Sequence, residues 1–384
     1  MSSSAPLVMK FGGTSFISPA MYSAVAGYVA ERLAGTDRPQ AVIVVSAMSG
    51  TTGRLREVLH AVSPEAPDDV VATMLTTGET VSTALMAAAL SAAEVPAGVV
   101  SALRTGFRAD GPADRAVLRD VDPGALRDAV QRFGVAIVPG GQAVDRAGDT
   151  VMLGRNSSDL SAVAAAAAVG ADSCELFSDV PGVCSADPRL VPQARALSRL
   201  SYDTMRLMSV SGAKVLHASA VDWACRNRVE LRCHSLLPEG TRHTVVDGTH
   251  TAVGAVVVAD RSDVWTFTDP HRRDALVGPL ADNGYQVLTV DLDGCHHLVT
   301  DVEGLRDEKV IERHGGVRQP DARLLTILHP DGRIEHHVLP WSAVTAAARQ
   351  AHAQLYPDAE PAPAVAPKAR SVHSGLLAGN AAAH

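Results

Sequence analysis

Leu7-Val8-Met9-Lys10-Phe11-Gly12-Gly13-Thr14-Ser15 joins a short apolar run to two adjacent glycines, with a lysine placed just ahead of them. An apolar run of this length bounded by glycines reads as a buried strand, and the glycines fall where that strand ends. Glycine has no Cβ, so backbone N–H groups there can approach an anion, and the Lys10 ammonium can neutralise charge on a transferring phosphoryl group. Taken alone, the stretch also reads as an ordinary turn with a solvated lysine at a strand end.

The residues downstream repeat strand and helix in turn. Ser18-Pro19 pairs a capping residue with a proline suited to the first helical position, predicting a helix that runs to Leu33. Residues 41–46 (AVIVVS) predict a second buried strand, and 68–90 a long helix. Further strands are predicted at 97–101, 135–138, 174–177 and 229–233, with an alanine-rich helix over 159–169. This alternation is that of an α/β fold, a mainly parallel sheet covered by helices. After Pro238-Glu239-Gly240 the character changes. Short strands at 255–258, 264–267, 287–290 and 298–300, with a helical stretch at 272–282, predict a smaller α+β module. Residues 357–384 are rich in Pro and Ala and lack bulky side chains, so a disordered tail is expected there.

A chain of 384 residues, 46% hydrophobic and 20% charged, can bury a large core and is expected to form two folded domains. The formal net charge of −8, with no block of Lys and Arg, argues against nucleic acid as a partner. Cys174, Cys184, Cys225, Cys233 and Cys295 show no metal-ligand spacing, and their number is odd. No stretch reads as a signal peptide or a membrane span, so a reduced, cytoplasmic protein is expected.

Three later clusters join the Lys10 segment. Leu75-Thr76-Thr77-Gly78-Glu79-Thr80 places a carboxylate among small and apolar residues; it could receive a substrate ammonium group or lie on the helix surface. Leu153-Gly154-Arg155-Asn156-Ser157-Ser158-Asp159 stands at the entrance of the alanine-rich helix. There Arg155 could take a carboxylate bidentately, while Ser158 and Asp159 could lie beside an anion or simply cap the helix. Residues 178–189 (SDVPGVCSADPR) form a turn-rich loop after a strand, where open α/β sheets bind ligands, and Gly212-Ala213-Lys214 adds another cation. Singly, Arg189 and Lys214 read as surface charges. Paired histidines at 296–297 and 336–337 carry no ligand spacing that supports a metal site.

Together, KFGGTS, VVSAMSG, TTGET, GRNSSD, SDVPGVCSADPR and GAKVLH, in that order, resemble the aspartate kinase branch of the amino acid kinase family. The resemblance spans residues 8–246. It implies an αβα sandwich with a mainly parallel sheet of about eight strands, in which ATP and an amino acid meet at the carboxyl edge of the sheet. By that resemblance, Lys10 stabilises the transferring phosphoryl group and Asp159 organises the reacting centre. Gly12, Gly13, Thr14 and Ser46 line the phosphate site, Ser178 and Asp179 lie near the adenosine, and Arg189 and Lys214 contact the nucleotide phosphates. Glu79 and Arg155 hold the acceptor's amino and carboxylate groups, with Asn156, Ser157 and Ser158 beside it. Mg²⁺ is expected mainly on ATP oxygens, with no cage of protein ligands. The implied reaction is phosphorylation of the side-chain carboxylate of aspartate, and the implied assembly a homodimer.

The chain departs from the family pattern in places. The family usually has Gly-Gly where this chain has Asn156-Ser157, Cys184 replaces a usual tyrosine, and Ala218 follows His217 where proline is common. Aspartate kinases commonly carry two tandem ACT modules. Here an ACT-like regulatory domain is expected over 247–356, behind a catalytic domain of 1–246. Residues 264–300 read as part of one module and 324–356 as a reduced second, so altered or absent feedback control is expected. The alternatives are a specialised kinase for another carboxylated amino acid and a noncatalytic amino-acid-binding subunit.

Overall fold

The strand Ala41–Val45 is buried at every position, as a strand covered on both faces must be, and it lies at the heart of an eight-stranded sheet. The computed structural model describes residues 5–35, 40–154, 157–180, 182–236, 243–302 and 305–357. In spatial order the sheet runs Arg199–Ser201, Thr244–Asp247, Glu230–Ser235, Ser173–Ser178, Leu7–Phe11, Ala41–Val45, Val135–Pro139, Ala97–Val99. Every neighbouring pair is parallel except Glu230–Ser235 with Thr244–Asp247. The strand expected at 229–233 is therefore not an edge, because two short strands continue the sheet beyond it.

Side-chain alternation along the strands divides the core into two layers. Met9, Phe11, Ile43, Val45 and Ile137 pack against the helices Ala20–Ala34 and Asp68–Ala92. Val8, Val42, Val44, Ala136 and Val138 face the opposite way, towards Pro123–Phe133, Ser158–Val169 and Ala218–Asn227. Nearly every residue of Ser158–Val169 is buried, and its run of alanines lets the helix approach the sheet closely. Helix, sheet and helix form the three layers expected. Because the central strands are parallel, Phe11, Val45, Pro139 and Ser178 end on one edge of the sheet.

Several elements lie outside the sequence expectations. Thr51–Val62 is one of them: Leu55, Val58, Leu59 and Val62 recur at helical spacing, yet none of its residues is buried. Val117–Val121, Phe107–Asp110, Gln142–Val144 and Thr150–Met152 form a second, four-stranded sheet from segments of three to five residues, too short for periodicity to register. The helix expected to start at a Ser18 cap begins at Ala20, and no side-chain cap bond precedes it.

The smaller α+β part is also present. Asp263–Phe267, Pro270–Asp282, Val287–Leu292, Cys295–Thr300, Leu305–Arg313 and Val317–Gln319 follow one another as βαββαβ. Their antiparallel sheet has Val287–Leu292 at one edge and Val317–Gln319 at the other. The expected partial module is thus a whole βαββαβ unit. The reduced second part is a three-stranded sheet, Ala255–Val258, Ala322–Leu328 and Ile334–Pro340, backed by Trp341–Leu355. Its first strand comes from before the βαββαβ unit, a long-range pairing that no local pattern announces. Among the described residues no helix is long and apolar enough to cross a membrane. The tail expected at 357–384 lies outside the described residues from 358 onward.

Candidate active site

Strand alternation puts Lys10 on the same face as Val8, the face covered by Ser158–Val169. There its Nζ lies 2.7 Å from Asp159 Oδ1, in the first turn of that helix. Asp159 therefore meets a cation from another element and does not cap its own helix; Ser157 occupies the cap position without a side-chain cap bond. Of the two readings open in the sequence, a place beside an anion or a helix cap, the cap is not what the structure shows, and the pairing with Lys10 follows from the register of strand against helix.

Beyond Lys10 the chain turns through a short 3-10 segment at Gly13–Ser15, with Gly12 N–H bonded to the Phe177 carbonyl at 3.1 Å. A Cβ on Gly12 would stand 3.2 Å from Lys10 Nζ, and one on Gly13 2.9 Å from the Ala47 carbonyl oxygen. The missing side chain of Gly12 keeps the flank of the ammonium uncovered, and that of Gly13 lets the turn lie against the Ala47 carbonyl. Thr14 is half-buried in the same turn, and the buried Ser15 hydroxyl has no partner among the described residues. Ser46 N–H bonds to the Phe11 carbonyl, and Ser46 Oγ donates to Ser158 Oγ at 2.9 Å. Lys10, Gly12, Gly13, Ser46, Ser158 and Asp159 are thus brought to one edge of the sheet.

Ser157 Oγ donates to the Gly154 carbonyl at 2.8 Å, so its added hydroxymethyl group is tied back to its own loop. Arg155 and Asn156 lie outside the described residues. Glu79 sits about three turns into Asp68–Ala92, where Ala47 N–H donates to its Oε1 at 3.3 Å. This approach requires Gly78, since a Cβ there would stand 2.9 Å from Ala47 Cβ. Burial pushes the Glu79 carboxyl up to about 7, against the two backbone donors that favour its ionised form. A half-buried carboxyl poised to ionise on meeting a cation differs from an ordinary surface glutamate.

The two cations expected at the nucleotide, Arg189 and Lys214, are each engaged with carboxylates. Arg189 forks onto Asp187, with Nη2 to Oδ2 at 2.6 Å and Nε to Oδ1 at 3.0 Å, and this hydrogen-bonded pairing holds its pKa high. Lys214 Nζ bonds Asp260 and lies 3.9 Å from Asp187 Oδ2. Asp260 follows the strand Ala255–Val258, so the C-terminal part reaches Lys214. Ser178 hydrogen-bonds within its own turn, to Val180, and Asp179 is exposed near Arg189. Burial pushes the Cys184 thiol up to about 11, which leaves it a poor nucleophile.

Two features escaped sequence reading. Gly140 and Gly141, at the end of Val135–Pro139, pack on the serines: a Cβ on Gly140 would stand 2.6 Å from Ser158 Oγ and one on Gly141 2.8 Å from Ser157 Oγ. The adjacent glycines at a strand end were the available signal, the same one that marked Gly12-Gly13. His217 caps the start of Ala218–Asn227, and burial holds its imidazole below the usual range while the Asp159 charge acts in the other direction.

The model of the amino acid kinase family matches residues 5–235. The aspartokinase of Mycolicibacterium smegmatis is 39% identical over 231 residues, covering 60% of this chain and 54% of that protein. An aspartokinase of Thermus thermophilus is 38% identical over 229 residues, covering 60% of this chain and 56% of that protein. The chain thus spans about half the length of the curated relatives it matches. Among solved structures, Escherichia coli aspartokinase III in complex with aspartate and ADP aligns over 91% of this chain and 100% of its own, with TM-score 0.75 and 18% identity. Clostridium acetobutylicum aspartate kinase covers the same 91% with TM-score 0.63 and 16% identity. At those identities the likeness is one of fold.

Proposed function

The chain belongs to the amino acid kinase family, and from that premise we propose that it transfers the γ-phosphoryl group of ATP to the side-chain carboxylate of L-aspartate, giving 4-phospho-L-aspartate. The observation that carries this reading is the Lys10–Asp159 ion pair beside the side-chain-free Gly12 at the carboxyl edge of the sheet. It is supported by relatives named aspartokinase at 38–39% identity across the same region.

In this reading an aspartate carboxylate oxygen attacks the γ-phosphorus, the bond to the β–γ bridging oxygen breaks, and ADP leaves with its electron pair. A carboxylate is already ionised at neutral pH and needs no general base. The chain's task is positional and electrostatic. Lys10 stabilises charge on the phosphoryl oxygens, and Asp159 fixes Lys10. Gly12, Gly13, Thr14 and Ser46 line the phosphate site, Ser178 and Asp179 lie near the adenosine, and Arg189 and Lys214 contact the nucleotide phosphates. Glu79 takes the acceptor ammonium, and Arg155 its α-carboxylate, with Asn156, Ser157 and Ser158 alongside. Mg²⁺ arriving on ATP would supply further neutralisation of phosphate charge, and the Lys10 ammonium beside Gly12 and the nearby Asp159 carboxylate suit a metal-nucleotide.

The domain division belongs to the same proposal: a catalytic domain over 1–246 and an ACT-like regulatory domain over 247–356, in a cytoplasmic homodimer. A different carboxylated amino acid as acceptor is the second reading, motivated by Asn156 and Ser157 standing where the family usually has glycines. Purified protein with Mg-ATP, hydroxylamine and single amino acids, followed for both ADP and acyl hydroxamate, tests these readings. Hydroxamate with aspartate is expected. Product with another acceptor alone would favour the second reading, and none with any acceptor would reduce the chain to a noncatalytic binding subunit.

A further inference from the structure

Arg115 stands in the turn between Phe107–Asp110 and Val117–Val121, and the reaction proposed above gives it no part. Its side chain is 16% exposed and shared among three regions of the chain. Nη1 donates to Asp114 Oδ1 at 2.7 Å, Nη2 donates to Asp307 Oδ2 at 2.9 Å, and Nη2 lies 4.0 Å from Asp68 Oδ2. The guanidinium carbon is 5.1 Å from the centre of the Tyr285 ring, and the Tyr285 hydroxyl donates to the same Asp307 oxygen. Asp307 and Tyr285 belong to the βαββαβ unit. Asp68 begins the helix that bears Glu79.

The backbone around Arg115 is equally committed. Ala116 N–H donates to the Met152 carbonyl and Met152 N–H to the Ala113 carbonyl, both at 2.7 Å. Met152 ends the strand that leads into Gly154, where a Cβ would stand 3.8 Å from Arg115 Cβ. On the other side a Cβ on Gly284 would stand 2.2 Å from the Arg115 carbonyl oxygen, and Gly284 has φ +83°, so only glycine fits. One turn thus touches the βαββαβ unit, the start of the Glu79 helix and the strand end ahead of Gly154.

A planar guanidinium held by several carboxylates and an aromatic ring has one orientation, unlike an exposed ion pair that wanders. Transfer between two bound substrates tolerates little misplacement of either. We propose that Arg115 is a positioning residue for the acceptor. The βαββαβ unit holds it through Asp307 and Tyr285; its turn holds the Met152 strand end through Ala113 and Ala116, and its guanidinium lies 4.0 Å from Asp68 at the start of the helix that carries Glu79. This rests on the reading of Glu79 and the residues after Gly154 as the acceptor side.

The test compares Arg115→Ala, Arg115→Lys and Asp307→Asn with the wild type, as full chains, by steady-state kinetics and amide hydrogen exchange. Aspartate KM is expected to rise about tenfold in Arg115→Ala and Asp307→Asn, with kcat and ATP KM within about twofold, and Arg115→Lys to fall between. Exchange at the Met152 and Ala116 amides should speed up about tenfold in Asp307→Asn, while amides of Ala41–Val45 keep their rates. Unchanged aspartate KM, unchanged exchange at Met152 and Ala116, or acceleration spread evenly through the central sheet would each overturn the inference. Should the wild type phosphorylate no acceptor, the kinase reading fails by itself, and exchange at Met152 and Ala116 alone decides whether Asp307 holds the turn.

Discussion

Replacing Lys10 by methionine keeps a stem of similar length and removes only the charge, so its consequences follow from the ion pair with Asp159. The two side chains are 12% and 7% exposed and 2.7 Å apart. Removing one partner of such a pair leaves the other desolvated, which costs about 3–5 kcal/mol. At the middle of that range, about 4 kcal/mol, the melting point should fall by about 8–16 °C at about 2–4 °C per kcal/mol. Turnover should fall about 10²–10³-fold, the usual effect of deleting one preorganised group that stabilises developing charge. The assay pairs thermal unfolding at pH 7 with phosphoryl transfer, for Lys10→Met and for Lys10→Met combined with Asp159→Asn. The double variant relieves the stranded carboxylate and should regain most of the melting point while remaining inactive. A single variant that melts within about 2 °C of the wild type would refute the electrostatic argument, and one that retains turnover within about tenfold would refute the assignment of Lys10.

Further outcomes are expected at Glu79 and Gly78. With the Glu79 carboxyl raised to about 7 and binding an ammonium only when ionised, aspartate KM should fall about tenfold between pH 6 and pH 8. Because this carboxyl holds its proton more tightly in the folded chain than at the ordinary 4.5, its contribution to stability is lost as pH rises from about 4.5 to about 7. Glu79→Gln should raise KM and flatten its pH dependence; a wild-type KM flat over that range would count against the ammonium role. Gly78→Ala adds a Cβ 2.9 Å from that of Ala47, and the overpacking cost of about 1–3 kcal/mol should outweigh the gain of about 1 kcal/mol from replacing glycine within a helix. Denaturant unfolding checks this, and a variant more stable than the wild type would show that the loop at 46–49 yields freely.

The α/β class was written in the chain because it depends on local alternation. Strands such as 41–45, apolar throughout, and a helix such as 158–169, built of alanines, can be stable only as interior parts of a covered parallel sheet. Short or mixed segments such as Phe107–Asp110 carry no such constraint, and they acquire strand geometry only from neighbours distant in sequence. The chemistry followed the same division. Lys10, Gly12, Gly13, Glu79 and Asp159 stood out as charges or glycines in apolar surroundings, and the ordered motifs suggested their roles. Whether Asp159 capped its helix or met Lys10 depended on strand register, and whether Glu79 lay on a surface depended on how closely Gly78 lets its helix approach Ala47.

By itself, then, the sequence determined the layered α/β sheet, the glycine turn after the first strand and the set of charged residues, because backbone propensity and apolar period act over a few residues. Only the tertiary structure decided which charges meet. The pairing of Lys214 with Asp260, the seating of Arg115 between Asp307 and Asp68, and the packing of Gly140 and Gly141 on Ser157 and Ser158 join residues far apart in the chain. Such contacts are fixed by how whole layers stack, and no local pattern of side chains encodes them.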